Sequence, residues 1–340
     1  MTVIYDAAER LGILPDLAER HIAPDRMLYV KRDSSTRFTL PGQTVRAMLG
    51  ERAINLLRGD IEDVLYQRVR DHAEIRFGTT LTAVTQDDLD VRVTLSDGTV
   101  ETADLLVGAD GLHSKVRALA FGPESDYRLD LDHMVAVFMM DQRPAVVPEG
   151  ASATLTATGR TLAVIDLGHG QAGAFFGYRT DNVARELADG PQIALPRVYG
   201  DIGWAAPEAL RQLPGDESVY FDSISQMVLP RWSQGRIVLL GDAAWCVSLF
   251  AGYGSSLAVG GADLLGDMLA AHVDDVPAAL AACEAQLQPE AERKQRLGRR
   301  VKGLYAPADP FRLWLRDLPL RMASWTPVGR LIERRLQLKG

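Results

Sequence analysis

The chain is poor in the features that belong to secreted, membrane or nucleic-acid proteins. It has two cysteines in 340 residues, Cys246 and Cys283, with no Cys-x-x-Cys and no histidine at a zinc spacing. That excludes a disulfide framework and reads as two reduced thiols. No apolar run approaches the ~20 residues needed to cross a bilayer, and the N-terminus, Met-Thr-Val-Ile-Tyr-Asp, has no basic segment ahead of an apolar one. Positive charge is in deficit, with 37 Lys and Arg against 45 Asp and Glu and a net charge of -8. The composition therefore shows no electrostatic footprint for nucleic acid or an anionic membrane surface. These absences lead to the expectation of a cytoplasmic protein with no metal site, no nucleic-acid partner and no membrane span. They leave the oligomeric state open.

What is present is ordinary for a globular chain: 47% hydrophobic and 24% charged residues, enough for one large domain or two. Residues 5–20 carry helical periodicity broken by Gly12 and Pro15, which predicts two short helices. "RMLYVKRD" and "STRFTL" predict two strands around an Asp33-Ser34-Ser35 turn. Residues 59–72 place Ile61, Val64, Leu65 and Val69 on one face of an amphipathic helix. "VRVTLSDGTVETADLLVGADG" reads as a hairpin followed by a buried strand at Leu105-Leu106-Val107. From residue 134 the pattern changes to short alternating strands with helical residues at 181–212, which predicts an inserted, largely antiparallel sheet. "RIVLL" at 236–240 returns to the continuous apolar type, so the α/β part is discontinuous. Residues 261–300 and the tail segments "FRLWLRDLPLRM" and "VGRLIERRLQL" read as helical. There is no internal repeat.

Two segments carry chemistry. "GRIVLLGDAAWCVSLFAGYGSSLA" delivers Asp242 to the end of a strand and leads through Ala251-Gly252-Tyr253-Gly254 into a helix. Ligands of α/β sheets sit at such strand ends; an Asp there can accept from a ribose or ribityl hydroxyl, and glycines let backbone N–H groups approach phosphate or a ring carbonyl. "DLLVGADGLHSKVR", residues 104–117, repeats the pattern with Asp110 inside a Gly108-to-Gly111 stretch. His113 reads either as a cofactor contact or, more simply, as a half-exposed helix-start residue. Arg58, ahead of the helix in "LLRGDIEDVLYQR", gains interest from this company.

Together these three segments resemble the flavoprotein monooxygenases of the para-hydroxybenzoate hydroxylase type, the group A aromatic and polyketide hydroxylases, over nearly the whole chain. The resemblance implies an α/β, glutathione-reductase-like FAD-binding fold with an inserted antiparallel substrate sheet. The corresponding domains are an FAD-binding part at 1–130 and 222–300, a substrate sheet at 131–221 and C-terminal helices at 301–340. It implies that FAD is held by Arg58, Asp110, Gly111, Asp242, Gly252, Gly254 and Ser255. It further implies reduction by NADPH or NADH and transfer of one atom of O2, through a flavin hydroperoxide, to an aromatic or polyketide-like small molecule. No side chain is singled out as a catalytic acid or base. Phe138, Phe175, Phe176 and Tyr178 on the inserted sheet read as core or as substrate pocket.

The sequence departs from that family's pattern. Trp245 stands where the family commonly has His, and Val247 and Leu249 stand where prolines are frequent, so a differently shaped wall beside the flavin is expected. The strand and Gly-x-Gly-x-x-Gly fingerprint with which that family opens do not stand ahead of these segments, so the N-terminal βαβ unit is read as truncated by roughly 30–50 residues, with weak flavin retention as the result. Two alternatives therefore accompany the monooxygenase reading. One is a non-catalytic remnant or binding protein, and the other is a different flavin oxidoreductase on this scaffold. Of the latter, the halogenases carry two tryptophans flanking one residue, which this chain lacks.

Overall fold

The structure is a computed structural model and describes residues 2–50, 52–215 and 218–324. The chain divides into two compact units. One comprises residues 1–17, 58–130 and 225–300, and the other residues 18–57, 131–224 and 301–340.

The first unit contains a three-stranded sheet in which Ile237–Leu239 pairs in parallel with Leu106–Gly108 and antiparallel with Ser233–Gln234. All three side chains of Ile237–Leu239 are buried, as the apolar run predicts. Leu106–Gly108 differs from expectation. It is the edge strand of this sheet, with Leu106 half-buried and Val107 exposed. A second sheet, Leu81–Gln86, Val91–Leu95 and Val100–Ala103, is antiparallel throughout. The helix Arg58–Val69 forms where expected, but only Val64 on its apolar face is buried. The two predicted N-terminal helices are Thr2–Arg10 and Leu14–Glu19.

The second unit is built on a seven-stranded sheet. Its strands run in the order Tyr220–Met227, Arg128–Met140, Gln171–Arg179, Arg160–Gly168, Ala151–Ala157, Arg26–Val30 and Thr36–Pro41. Alternation puts Met134, Ala136, Phe138, Ala174, Phe176 and Tyr178 into one core with Leu195 and Tyr199 of the helix Pro191–Tyr199. The domain boundaries read from the sequence change in two places. Residues 18–57 join this unit because Arg26–Val30 pairs in parallel with Ala151–Ala157, from Arg26 opposite Ala151 to Val30 opposite Leu155. Residues 301–324 join it because the helix Pro310–Ser324 packs on Thr36–Pro41 and Ala151–Ala157. The segment "VGRLIERRLQL" lies outside the described residues. Among the described residues no helix is long and apolar enough to cross a membrane, and no group of ligating side chains could hold a metal.

Candidate functional site

The site is assembled at the ends of the two parallel strands of the first unit. After Ile237–Leu239 the chain turns at Gly241 into a single helical turn, Asp242–Trp245, with no side-chain cap. Burial pushes the Asp242 carboxyl above its ordinary range, partly opposed by the Arg58 guanidinium and by the Cys246 thiol. Arg58 opens the helix Arg58–Val69 and is exposed. Structure thus brings these two sequence-distant residues into electrostatic contact.

The chain then reaches Gly252, which has φ +66 and open space where a Cβ would stand. A side chain there would be strained and would fill that space. Gly254, Ser255 and Ser256 open the 18-residue helix Gly254–Ala271, whose Leu257 N–H donates to the Tyr253 carbonyl at 2.9 Å. The earlier N–H groups have no partner within the helix and carry the positive end of its dipole. A Cβ on Gly254 would lie 3.8 Å from Asp242 Oδ1, so carboxylate and helix start are neighbours. Lys294 Nζ sits 3.3 Å above the Tyr253 ring and holds the residue between the two glycines.

The second junction uses its aspartate differently. Asp110 Oδ2 accepts from the N–H groups of Lys115 at 2.6 Å and Val116 at 3.0 Å, and Oδ1 accepts from the Ser114 hydroxyl. Ser114 Oγ in turn accepts from Arg117 N–H at 2.9 Å. Both carboxylate oxygens are engaged with the start of the helix Lys115–Ala120. Asp110 therefore anchors the loop, while Gly111, at φ +81 with nothing within 4 Å of a Cβ position, leaves its surroundings open. His113 faces Glu124, with Nδ1 3.0 Å from Oε2, which matches the simpler reading of it.

Three supports went unnoticed in the sequence. Arg117 is 0% exposed; it donates to the carbonyls of Leu112 at 2.6 Å and Ala243 at 3.0 Å and pairs with Glu124 at 3.1 Å. One side chain thus fastens both junctions together. Burial lowers its pKa, against the attraction of Glu124 and Asp110. Gln226 and Gln295, also buried, hold the segment after Asp242. Gln226 Nε2 donates to Val247 O at 3.0 Å, and Gln295 Nε2 donates to Met227 O at 2.6 Å and Trp245 O at 3.3 Å. The only local signal was polarity inside apolar runs.

The three residues that depart from the family's pattern differ in burial. Trp245 is buried, its ring centroid 4.5 Å from that of Trp232, and Val247 is buried too, whereas Leu249 is exposed. Trp245 belongs to the core, where it packs closely on Gly261: a Cβ there would stand 3.0 Å from its ring and from Leu287 Cδ2.

In the second unit, Phe138, Phe176 and Tyr178 are core residues. Phe175 alone of the four aromatics points to the opposite face, opposite Val137 on one neighbouring strand and Ala163 on the other. Its ring lies over Gly177, whose Cβ position is 3.3 Å away, and Val137 and Met139 on the same face are exposed.

Comparison with known proteins adds identity to this geometry. The family model described as an FAD binding domain matches residues 32–160 and 216–293. An uncharacterized protein of Mycobacterium tuberculosis is 31% identical over 295 residues, covering 85% of this chain and 78% of that protein. A flavin-dependent monooxygenase from an unknown prokaryotic organism is 27% identical over 313 residues, covering 91% of this chain and 80% of the relative. Among solved structures, tetracycline destructase Tet(51) superposes with a TM-score of 0.78 at 25% identity, covering 95% of this chain and 84% of that one. With its α/β fold, inserted sheet and matched segments, the chain belongs to the FAD binding domain family, as one of its flavin-dependent monooxygenases.

Proposed function

We propose that the protein uses NADPH or NADH and O2 to hydroxylate an aromatic or polyketide-like small molecule, with FAD in the first unit and substrate on the open face of the seven-stranded sheet. The observation that carries the reading is the group formed by Asp242, the start of the helix Gly254–Ala271 and Arg58. Its chemistry suits FAD. A buried carboxylate accepts from a ribityl hydroxyl, backbone N–H groups at Gly254 and Ser255 donate to a pyrophosphate or ring oxygen, Gly252, whose own N–H is given to the Leu249 carbonyl, leaves room beside them, and Arg58 adds positive charge along the cofactor. Open space at Gly111 and Gly252 admits close backbone approach to a ligand.

When bound, FAD supplies the redox and oxygen-activating chemistry. The chain's own part is to bind, orient and exclude water. Asp242 fixes the cofactor through its hydroxyls, and Asp110 keeps Gly111 in place without touching it. Gln226 and Gln295 satisfy the 245–247 carbonyls and so fix the segment that follows Asp242. Phe175, Val137 and Met139 offer an apolar wall of the kind an aromatic substrate needs. A polycyclic substrate is favoured by the likeness to a protein named tetracycline destructase.

The test is reconstitution of the purified chain with FAD, followed by NADPH-dependent oxygen uptake with and without polycyclic phenols. Stimulated uptake and a hydroxylated product are expected. Flavin that binds but never stimulates oxygen uptake with any aromatic would remove the hydroxylase reading, and failure of Asp242→Ala to weaken flavin binding would remove the site assignment.

A further inference from the structure

The helix Pro310–Ser324 is amphipathic in the reverse sense. Its protein-facing side carries Leu313, Asp317 and Ala323, all buried. Asp317 is held by Arg37 at 3.0 Å and by the neighbouring Arg316. Outward stand Phe311, Trp314, Leu315, Leu318 and Met322, between 38% and 67% exposed. Their spacing of i, i+3, i+4, i+7 and i+11 makes a single stripe on a helix of 3.6 residues per turn. A helix normally buries such a stripe and exposes its ion pairs; here the ion-paired edge is inside. Five large apolar side chains in one row form a patch of the kind that marks an interaction surface.

Charge selects the occupant. Residues 31–37 and 309–324 hold six Lys and Arg against three Asp, a net charge of +3 in a chain whose total is -8. On the helix, Arg312 and Arg321 lie on opposite flanks of the stripe, at about 100° and about 80° from Phe311 at 100° per residue. A second copy would set this positive region against an identical one, a like-charge match. An anionic lipid surface satisfies both features at once, with acyl chains against the stripe and headgroups against the flanking arginines. Beside the Arg321 flank lies a groove of 340 Å³ lined by Lys31, Thr36, Arg37, Phe38, Arg321 and Ser324. Lys31 and Arg321, with the Thr36 hydroxyl and the outer side of the Arg37 guanidinium that pairs with Asp317, are a suitable donor set for a phosphate ester.

We propose that the outer face of the helix Pro310–Ser324 lies in the plane of an anionic bilayer surface, with Trp314 at the boundary and the Lys31–Arg37–Arg321 groove receiving a lipid phosphate. The whole-chain charge conceals this face, which is why composition alone predicts no such partner. The inference does not depend on the flavin reading.

The experiment is sedimentation of the full chain with vesicles of phosphatidylcholine alone and of phosphatidylcholine mixed with phosphatidylglycerol, at low and high salt. Quenching of tryptophan emission by brominated lipid reads the depth of insertion. Binding is expected only to the mixed vesicles, weakening with salt. Leu315→Glu should abolish it, and Arg312→Gln and Arg321→Gln should each weaken it roughly fivefold. These side chains are exposed, so the variants should keep the parent's circular dichroism. Equal binding to both vesicle types, or binding to neither, overturns the proposal. So does a concentration-dependent dimer that Leu315→Glu dissolves without any vesicle binding, which assigns the stripe to a second copy.

Discussion

Asp110 and Asp242 occupy equivalent places at two strand ends in the same unit, each beside a glycine and each ahead of a helix, yet they are used in opposite ways. Asp110 spends both carboxylate oxygens on the helix next to it in the chain, accepting from Ser114, Lys115 and Val116. Asp242 makes no cap, and burial makes its charge costly. The difference lies in the downstream chain. Ser114 and a regular helix start immediately after the first aspartate, whereas one turn and a long loop separate the second from the helix at Gly254. An aspartate beside a glycine at a strand end therefore builds a rigid loop in one place and offers a ligand group in the other.

The comparison can be broken most severely at Arg117, the side chain both junctions share. Arg117→Met should cost about 1–3 kcal/mol for each carbonyl, Leu112 and Ala243, that loses its donor, while Glu124 keeps Arg128, and should loosen flavin binding as well; denaturant unfolding and flavin titration check both. Arg117→Lys should rescue little, because three acceptors need the guanidinium fork.

Asp242→Ala should separate the two roles. Loss of a hydrogen bond to a charged group, about 1.5–3 kcal/mol, predicts roughly a 10- to 100-fold rise in flavin Kd with little change in unfolding midpoint. Its pH dependence has two signs. Because the folded carboxyl is raised, Asp242 contributes to the stability of the flavin-free fold below the unfolded value, and that contribution is lost as pH rises through the folded one. Flavin affinity should move the other way, falling as acid protonates Asp242 at a higher pH than an exposed aspartate requires. Asp242→Asn should flatten both profiles.

Asp110→Ala should give the complementary result, a loss of about 1 kcal/mol in stability, typical of a removed helix cap, with a smaller change in flavin affinity than Asp242→Ala. If the two variants behave alike, the division between anchor and ligand group fails. His113→Ala should be the mildest, within about 0.5 kcal/mol, since its pairing with Glu124 is largely solvent-exposed.

The order of elements, both junctions and the inserted sheet were legible because each rests on local pattern: continuous apolar runs, period-two alternation and Gly-Asp turns. Strand partnership was not. Nothing in "RMLYV" says that Arg26–Val30 will lie beside Ala151–Ala157, because pairing is settled by contacts more than a hundred residues apart. The same separation hid the struts. Arg117 reaches across 126 positions to Ala243, and Gln226 across 69 to Gln295. The hydrogen bonds of Asp110 were hidden for a different reason, since a motif records which residue stands at a strand end but not where its hydrogen bonds go.

The Trp245–Gly261 fit couples two positions that stand on different helices. A methyl group at position 261 would lie 3.0 Å from both the Trp245 indole and Leu287 Cδ2, so it is accommodated only where those side chains give way. Conversely, a smaller residue at 245 leaves a void that such a methyl could partly fill. The cost of Trp245→His should therefore be smaller with Gly261→Ala than without it, and a substitution at either site acts through its companion.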